Sequence, residues 1–145
     1  MLAKDIMTEP VTCCTPETSL QDVAKVMANR DCGGVPVIES EENPRLVGFV
    51  TDRDITCRTL AEGRNPLELK AKDAMSQGCF TAKLDTPEDE LCRIMEEHQV
   101  RRIPIVDDAG RVVGIVAQAD IAVRSADEHE TFEIVRDISK PTQQI

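Results

Sequence analysis

The chain has 145 residues, 41% of them apolar and 30% charged, a balance that excludes an intrinsically disordered protein and fits one compact domain or two small halves sharing a core. Its formal net charge of −10, from 17 basic and 27 acidic residues, opposes any general attraction to DNA, RNA or anionic lipid. Tryptophan and tyrosine are absent and phenylalanine occurs three times, so the expected core is aliphatic and recognition of nucleic acid by base stacking is not expected.

In chain order, Met1–Asp5 lacks the apolar run of a secretory signal, and the longest apolar run, Val112–Ala117, is strand-sized rather than membrane-spanning. A cytoplasmic protein without a membrane partner is the expectation. A short extended piece is expected over Val11–Cys13. The helix after it opens with the capping signal Thr18-x-x-Gln21 and carries the apolar stripe Leu20, Val23, Ala24 and Met27. Two strands follow, Val35–Ile38 and Leu46–Val50, joined by the polar turn Glu39–Pro44. A helix from Asp52 to about Ala61 closes the series, and Gly63 is its expected C-cap.

The same series then returns. Cys79–Ala82 reads as extended, and Thr86-Pro87-x-Asp89 opens a helix with Pro at the first helical position and a stripe of Leu91, Ile94 and Met95. Strands are expected at Ile103–Val106 and Val112–Val116, then a helix from Asp120 to about Ala126. From Asp127 to Ile138 a short helix places Phe132, Val135 and Ile138 on one face, available to dock on the body or on a second subunit. Pro141 stops it, and the last residues are expected to be loose.

The recurrence is an internal repeat. Lys4-Asp5-Ile6-Met7 returns as Lys72-Asp73-Ala74-Met75, and Val35-Pro36-Val37 as Ile103-Pro104-Ile105, both at a shift of 68 residues. Beyond the turn, Gly48-Phe49-Val50 meets Gly114-Ile115-Val116 and Asp54-Ile55 meets Asp120-Ile121, at a shift of 66. The change of register falls in the surface turn, where length changes are tolerated. The fold class is therefore α/β of the α+β kind, with two β-α-β-β-α units: residues 1–62, a linker at 63–71, a second unit at 72–126, and a C-terminal helix and tail at 127–145. Each unit buries too little surface to stand comfortably alone, so the sheets are expected to pack together about a pseudo-two-fold axis.

The stretch Gly48–Asp54 runs a buried strand directly into a helix, with Thr51 and Asp54 in the T-x-x-D spacing of a helix start. Such a corner leaves backbone N–H groups and polar side chains facing one small volume. Simple helix capping and ligand binding both account for it.

The unit resembles the cystathionine-β-synthase (CBS) domain, and the chain resembles a tandem pair. The matching residues are Asp5-Ile6-Met7 and Asp73-Ala74-Met75, the strands Val35-Pro36-Val37 with Glu39 and Ile103-Pro104-Ile105 with Asp107, and the corner Gly48–Asp54. The resemblance implies a cleft pair that binds adenine-containing ligands. The Asp of the corner would take the ribose hydroxyls and the Thr would lie near the ribose-phosphate. A carboxylate accepts hydrogen bonds without donating them, so it suits two hydroxyl donors and repels a phosphate.

The resemblance also implies that basic residues before the Pro-containing strand reach the phosphate held by the other copy's Asp. Thr51 and Asp54 are therefore expected to work with Arg101 and Arg102, with the adenine against Cys79-Phe80-Thr81. The second site, Asp120 with Gly33, Gly34, Val11 and Thr12, lacks both a cation and a hydroxyl, because Ala117 replaces the threonine. It is expected to be weaker. Arg101 and Arg102 have a plainer reading as a solvated pair balanced by Glu96, Glu97 or Asp107.

Six cysteines are present, Cys13, Cys14, Cys32, Cys57, Cys79 and Cys92, with no C-x-x-C and no zinc spacing to His98 or His129. Their counterparts in the other copy are small and mostly apolar, so packing is expected of them, with a redox role for Cys13-Cys14 as the alternative. No metal, no required cofactor and no catalytic residues are expected, since the nucleophile and phosphate-loop motifs are missing. The implied function is a regulatory sensor of AMP, ADP or ATP, with S-adenosylmethionine and NAD also fitting, working as a homodimer on an unidentified regulated protein. A ligand-free dimerisation scaffold is the alternative.

Overall fold

Helices and strands follow one another in two matching series. The elements are α1 (Ala3–Ile6), α2 (Leu20–Arg30), β1 (Gly34–Ile38), β2 (Leu46–Thr51), α3 (Asp52–Arg58), α4 (Glu88–His98), β3 (Arg102–Val106), β4 (Val112–Ala117), α5 (Gln118–Arg124) and α6 (Glu128–Ile138). The computed structural model describes residues 1–124 and 128–140. The expected stop at Pro141, the tail, and the end of the second unit near Ala126 lie outside the described residues.

The strands form two antiparallel pairs, β1 with β2 and β3 with β4. In the first pair Val35 faces Val50 and Pro36 faces Phe49, with a bulge between Val37 and Ile38. Pro36 is tolerated here because Phe49 turns its own N–H and C=O away, to Ser76 (2.9 and 2.8 Å). The extended pieces expected at Val11–Cys13 and Cys79–Ala82 shrink to single-residue parallel bridges. Cys14 N donates to Pro36 O (3.0 Å) and Ala82 N to Pro104 O (3.1 Å).

Helix α5 begins at Gln118, two residues before the expected Asp120, and the caps of two other helices differ from expectation. Helix α2 is capped by Ser19, whose Oγ accepts from Asp22 N at 3.1 Å, and Pro87 is the N-cap of α4 rather than its first residue. The threonines cap the preceding turns instead: Thr18 accepts from Thr15 N (3.0 Å) and Thr86 from Lys83 N (2.9 Å). A threonine hydroxyl closes a turn as readily as it caps a helix, so the T-x-x-Q spacing alone does not choose. Helix α3 ends at Arg58, and a 3-10 turn at Leu60–Glu62 closes on Gly63 with φ 72°.

Chain packing gives two compact bodies. The first contains Thr12–Cys79 and Ala109–Val112; the second contains Met1–Val11, Phe80–Asp108 and Val113–Ile145. These bodies divide the chain differently from the sequence repeat, because each takes in the lead-in segment of the other copy. In the first body Ala71 N donates to Thr18 O (2.7 Å), and the 74–76 segment runs beside β2 through Ser76. In the second, Ala3 N donates to Thr86 O (2.8 Å), and Thr8 N to Ile115 O (2.8 Å) beside β4. A sheet edge left open in either body is covered this way.

Both cores are aliphatic, as the composition dictates. The first gathers Leu20, Val23 and Met27 of α2 against Val35, Val37 and Val50, with Cys14, Ala71 and Ala74. The second gathers Leu91, Cys92 and Met95 of α4 against Ile103, Ile105, Val116 and Ile121, with Ala3, Ile6 and Met7. Ala24, expected in the apolar stripe of α2, is exposed, while Cys92 at the matching position of α4 is buried. Helix α6 sends Ile138 into the second core, but Phe132 is exposed, so the expected single face is split.

Candidate functional site

At the first corner β2 delivers Thr51 in an extended conformation and α3 begins at Asp52. Thr51 Oγ1 accepts from Asp54 N (3.0 Å) while Asp54 Oδ2 accepts from Thr51 N (2.9 Å), a reciprocal capping box. Helix capping is thus what the two side chains do locally. It leaves ligand capacity: the Thr51 hydroxyl proton goes to no described residue, and Asp54 Oδ1 accepts no hydrogen bond from any described residue. The nearest cation to that oxygen is Arg58, whose Nε stands 3.8 Å away.

The second corner is built differently. Asp120 Oδ2 accepts from Ala117 N (2.7 Å), so half of the capping box survives without a threonine. Its other oxygen, Oδ1, accepts from the Thr8 hydroxyl at 3.3 Å. Both carboxylate oxygens are therefore engaged at Asp120, and one is open at Asp54.

Arg101 and Arg102 lie at the start of β3 in the second body, with Arg101 exposed and Arg102 half-buried. Among the described residues neither guanidinium has an ion pair or a side-chain hydrogen bond, and Glu97, one expected counter-charge, is bound instead by Arg93 at 2.9 Å. The main chain is the same in both copies: Asp52 N donates to Gly33 O (3.0 Å) and Gln118 N to Arg101 O (2.9 Å). Gly33 and Gly34 hold the matching positions in the first body and supply no charge.

Of the residues expected to meet adenine, Cys79 is half-buried and Phe80 and Thr81 are exposed. The Phe80 ring stacks on His98, with centroids 3.8 Å apart and planes 12° from parallel. Val11 and Thr12 are half-buried. The structure brings Thr51 and Asp54 together, places Arg101 with Arg102, and puts these two pairs in separate bodies.

Two arginines were missed. Arg58 Nη1 donates to Ala74 O (3.1 Å) and Met75 O (2.9 Å), and Arg124 Nη1 to Ile6 O (2.8 Å) and Met7 O (2.9 Å). The signal was present, since each arginine stands four residues after the corner Asp in both copies.

The cysteines divide. Cys14 and Cys92 are buried and Cys13 and Cys79 half-buried, but Cys32 and Cys57 are exposed, which corrects the expectation that all six pack. The counterpart of Cys57, Val123, is itself 82% exposed, so an apolar counterpart did not imply burial. Burial pushes the Cys13 thiol up to about 11 and Cys14 to about 12. Both are protonated near neutral pH and poor nucleophiles, which disfavours the redox alternative. A thiol reagent at pH 8 is expected to label Cys32 and Cys57 rapidly and Cys13 and Cys14 slowly, as read by peptide mass mapping.

No described helix is long and apolar enough to cross a membrane, and no cluster of three or more metal-ligating side chains occurs among the described residues. The CBS domain family model matches residues 3–58 and 71–127. Hypoxic response protein 1 of Mycobacterium tuberculosis is 37% identical over 139 residues, covering 96% of this chain and 94% of that protein. A crystal structure of Hypoxic Response Protein I with two coordinated zinc ions superposes with a TM-score of 0.76 at 36% identity over 86% of this chain and 98% of that one. The CBS domain pair of protein MJ0100, solved with 5-methylthioadenosine and S-adenosyl-L-methionine, gives a TM-score of 0.76 at 30% identity over 85% of this chain and 98% of that one. CBSX2 in complex with AMP gives 0.73 at 26% identity over 86% and 95% of the two chains. With both copies matched, the chain belongs to the CBS domain family and carries its domain as a tandem pair.

Proposed function

We propose that this chain is an adenine-nucleotide-binding regulatory module with one well-equipped site. The observation that carries the reading is the difference between the two carboxylates: Asp54 keeps an oxygen that no described residue hydrogen-bonds, whereas each oxygen of Asp120 already accepts a hydrogen bond within the protein. A ribose offers two vicinal hydroxyl donors, and an open carboxylate oxygen is the acceptor they need. The Thr51 hydroxyl donates to the ligand while still accepting from its helix. Arg101 and Arg102, which have no counter-charge among the described residues, neutralise the phosphate, and Cys79, Phe80 and Thr81 flank the adenine. Similarity to pairs solved with AMP and with S-adenosyl-L-methionine supports this ligand class. A ligand that binds one conformation of the chain more tightly than another favours it, and that difference in affinity is the signal passed to a regulated protein. With six free cysteines, the cytoplasm is the compartment we assign.

A melting series with AMP, ADP, ATP and S-adenosylmethionine tests the reading. Ligand at about 100 times its Kd stabilises the folded state by about 2.7 kcal/mol. A second reading, a dimerisation scaffold, draws on an exposed apolar side chain in each body, Leu60 at 63% in the first and Val123 at 82% in the second. No shift with any ligand, together with a dimer by sedimentation, would select the scaffold.

A further inference from the structure

We propose that Arg58 is a positioning residue that couples occupancy of the Asp54 corner to the Ala74–Ser76 segment; the ligand arm of this proposal rests on the nucleotide reading above. One guanidinium reaches both. Its Nη1 donates to Ala74 O (3.1 Å) and Met75 O (2.9 Å), its Nη2 donates to Ser76 Oγ (3.1 Å), and its Nε stands 3.8 Å from Asp54 Oδ1. Ser76 in turn exchanges both backbone bonds with Phe49, two residues before Thr51 (2.8 and 2.9 Å). Hydrogen bonds and one charge contact, the 3.8 Å Asp54–Arg58 pair, therefore close a ring within the first body, from Thr51 through Asp54, Arg58 and Ser76 to Phe49 and back along β2.

The weak member of that ring is the one a ligand would touch. Asp54 Oδ2 already accepts from Thr51 N, so Oδ1, the oxygen that faces Arg58, offers hydroxyl donors the larger free acceptor capacity. Donors arriving there compete with the guanidinium for the space beside that oxygen, and Arg58 passes any displacement on through its bonds to the segment. Arg58 is exposed, so the pair contributes little as an attraction and acts through geometry.

The second body shows what the ring looks like without this sensitivity. Arg124 holds the carbonyls of Ile6 and Met7 as Arg58 holds those of Ala74 and Met75. There, however, the segment hydroxyl of Thr8 goes straight to Asp120 Oδ1, the position where the first body keeps an open oxygen beside a cation. The Asp54 corner reports to its neighbouring segment through a contact that a ligand can displace; the Asp120 corner is tied to its segment by a direct hydrogen bond.

Amide exchange at Phe49 and Ser76 tests the coupling, in the full chain with and without saturating AMP. In the unaltered protein AMP is expected to change these rates by about fivefold or more, the scale of an ordinary coupling between sites. In Arg58→Gln the response should vanish while AMP still binds, and Arg58→Lys, which keeps the charge but not the fork, should restore part of it. An Arg58→Gln protein whose Ser76 amide still responds fully to AMP would overturn the proposal. If AMP binds neither protein, the nucleotide reading fails and the link is judged without ligand. Asp54→Asn should then speed Ser76 exchange, and Ser76 exchange unchanged by Asp54→Asn would overturn it.

Discussion

Asp54→Asn is expected to weaken AMP binding roughly 10- to 150-fold, the loss of charge-assisted hydrogen bonds worth about 1.5–3 kcal/mol. The substitution is chosen over alanine because of the capping box. The Asn carbonyl can still accept from Thr51 N, as Asp54 Oδ2 does at 2.9 Å, so the start of α3 survives. Its amide nitrogen then takes the place of Oδ1 and offers donors to ribose hydroxyls that are themselves donors. Alanine would remove cap and acceptor together and add about 1 kcal/mol of lost stability to the binding effect. Titration calorimetry reads the affinity, and an unchanged melting temperature shows that the fold was kept. Asp120→Asn is the internal comparison and should leave AMP affinity nearly as it was, because its carboxylate is already engaged.

Gly48→Ala is expected to destabilise the protein by about 1–3 kcal/mol, as overpacking does. A Cβ at this position would meet Ser76 O at 2.8 Å and Met75 Sδ at 3.0 Å. The carbonyl cannot retreat cheaply, since it accepts from Phe49 N at 2.9 Å. At the matching position of the second body, the three atoms nearest a Cβ on Gly114 all belong to the Met7 side chain: Sδ, Cγ at 3.0 Å and Cβ at 3.3 Å. A thioether chain has three rotatable bonds and can move aside. Gly114→Ala should therefore cost less than Gly48→Ala in urea denaturation, and an equal or reversed order would refute this account of the close approach. The comparison also gives a physical reason for two of the recurring motifs: the methionine of the lead-in segment packs where the glycine of the strand leaves room.

Much of this was legible in the residues. Short apolar runs bounded by polar turns, together with the repeat, located all four strands to within a residue, because strands as fully buried as β1 and β3 carry near-continuous apolar residues. The difference between the corners was also visible, in Thr51 against Ala117 and in Arg101-Arg102 against Gly33-Gly34. What the sequence left open was decided by contacts between distant residues. Thr18 and Thr86 have the spacing of helix caps, but the turns before them compete for the same hydroxyls. The lead-in segments read as parts of their own repeats, yet each packs in the other body, and no local pattern encodes that exchange. The engagement of Asp120 by Thr8 spans 112 residues and has no sequence signature. Arg58 and Arg124 are the opposite case. Their repetition four residues after the acid was available and reads, on a helix, as an ordinary ion-pair spacing.

Calorimetric titration of the full chain with AMP tests the central claim most directly. The account predicts a single site per chain, lost or strongly weakened in Asp54→Asn and retained in Asp120→Asn. Two equal sites per chain, or binding indifferent to Asp54→Asn, would contradict it.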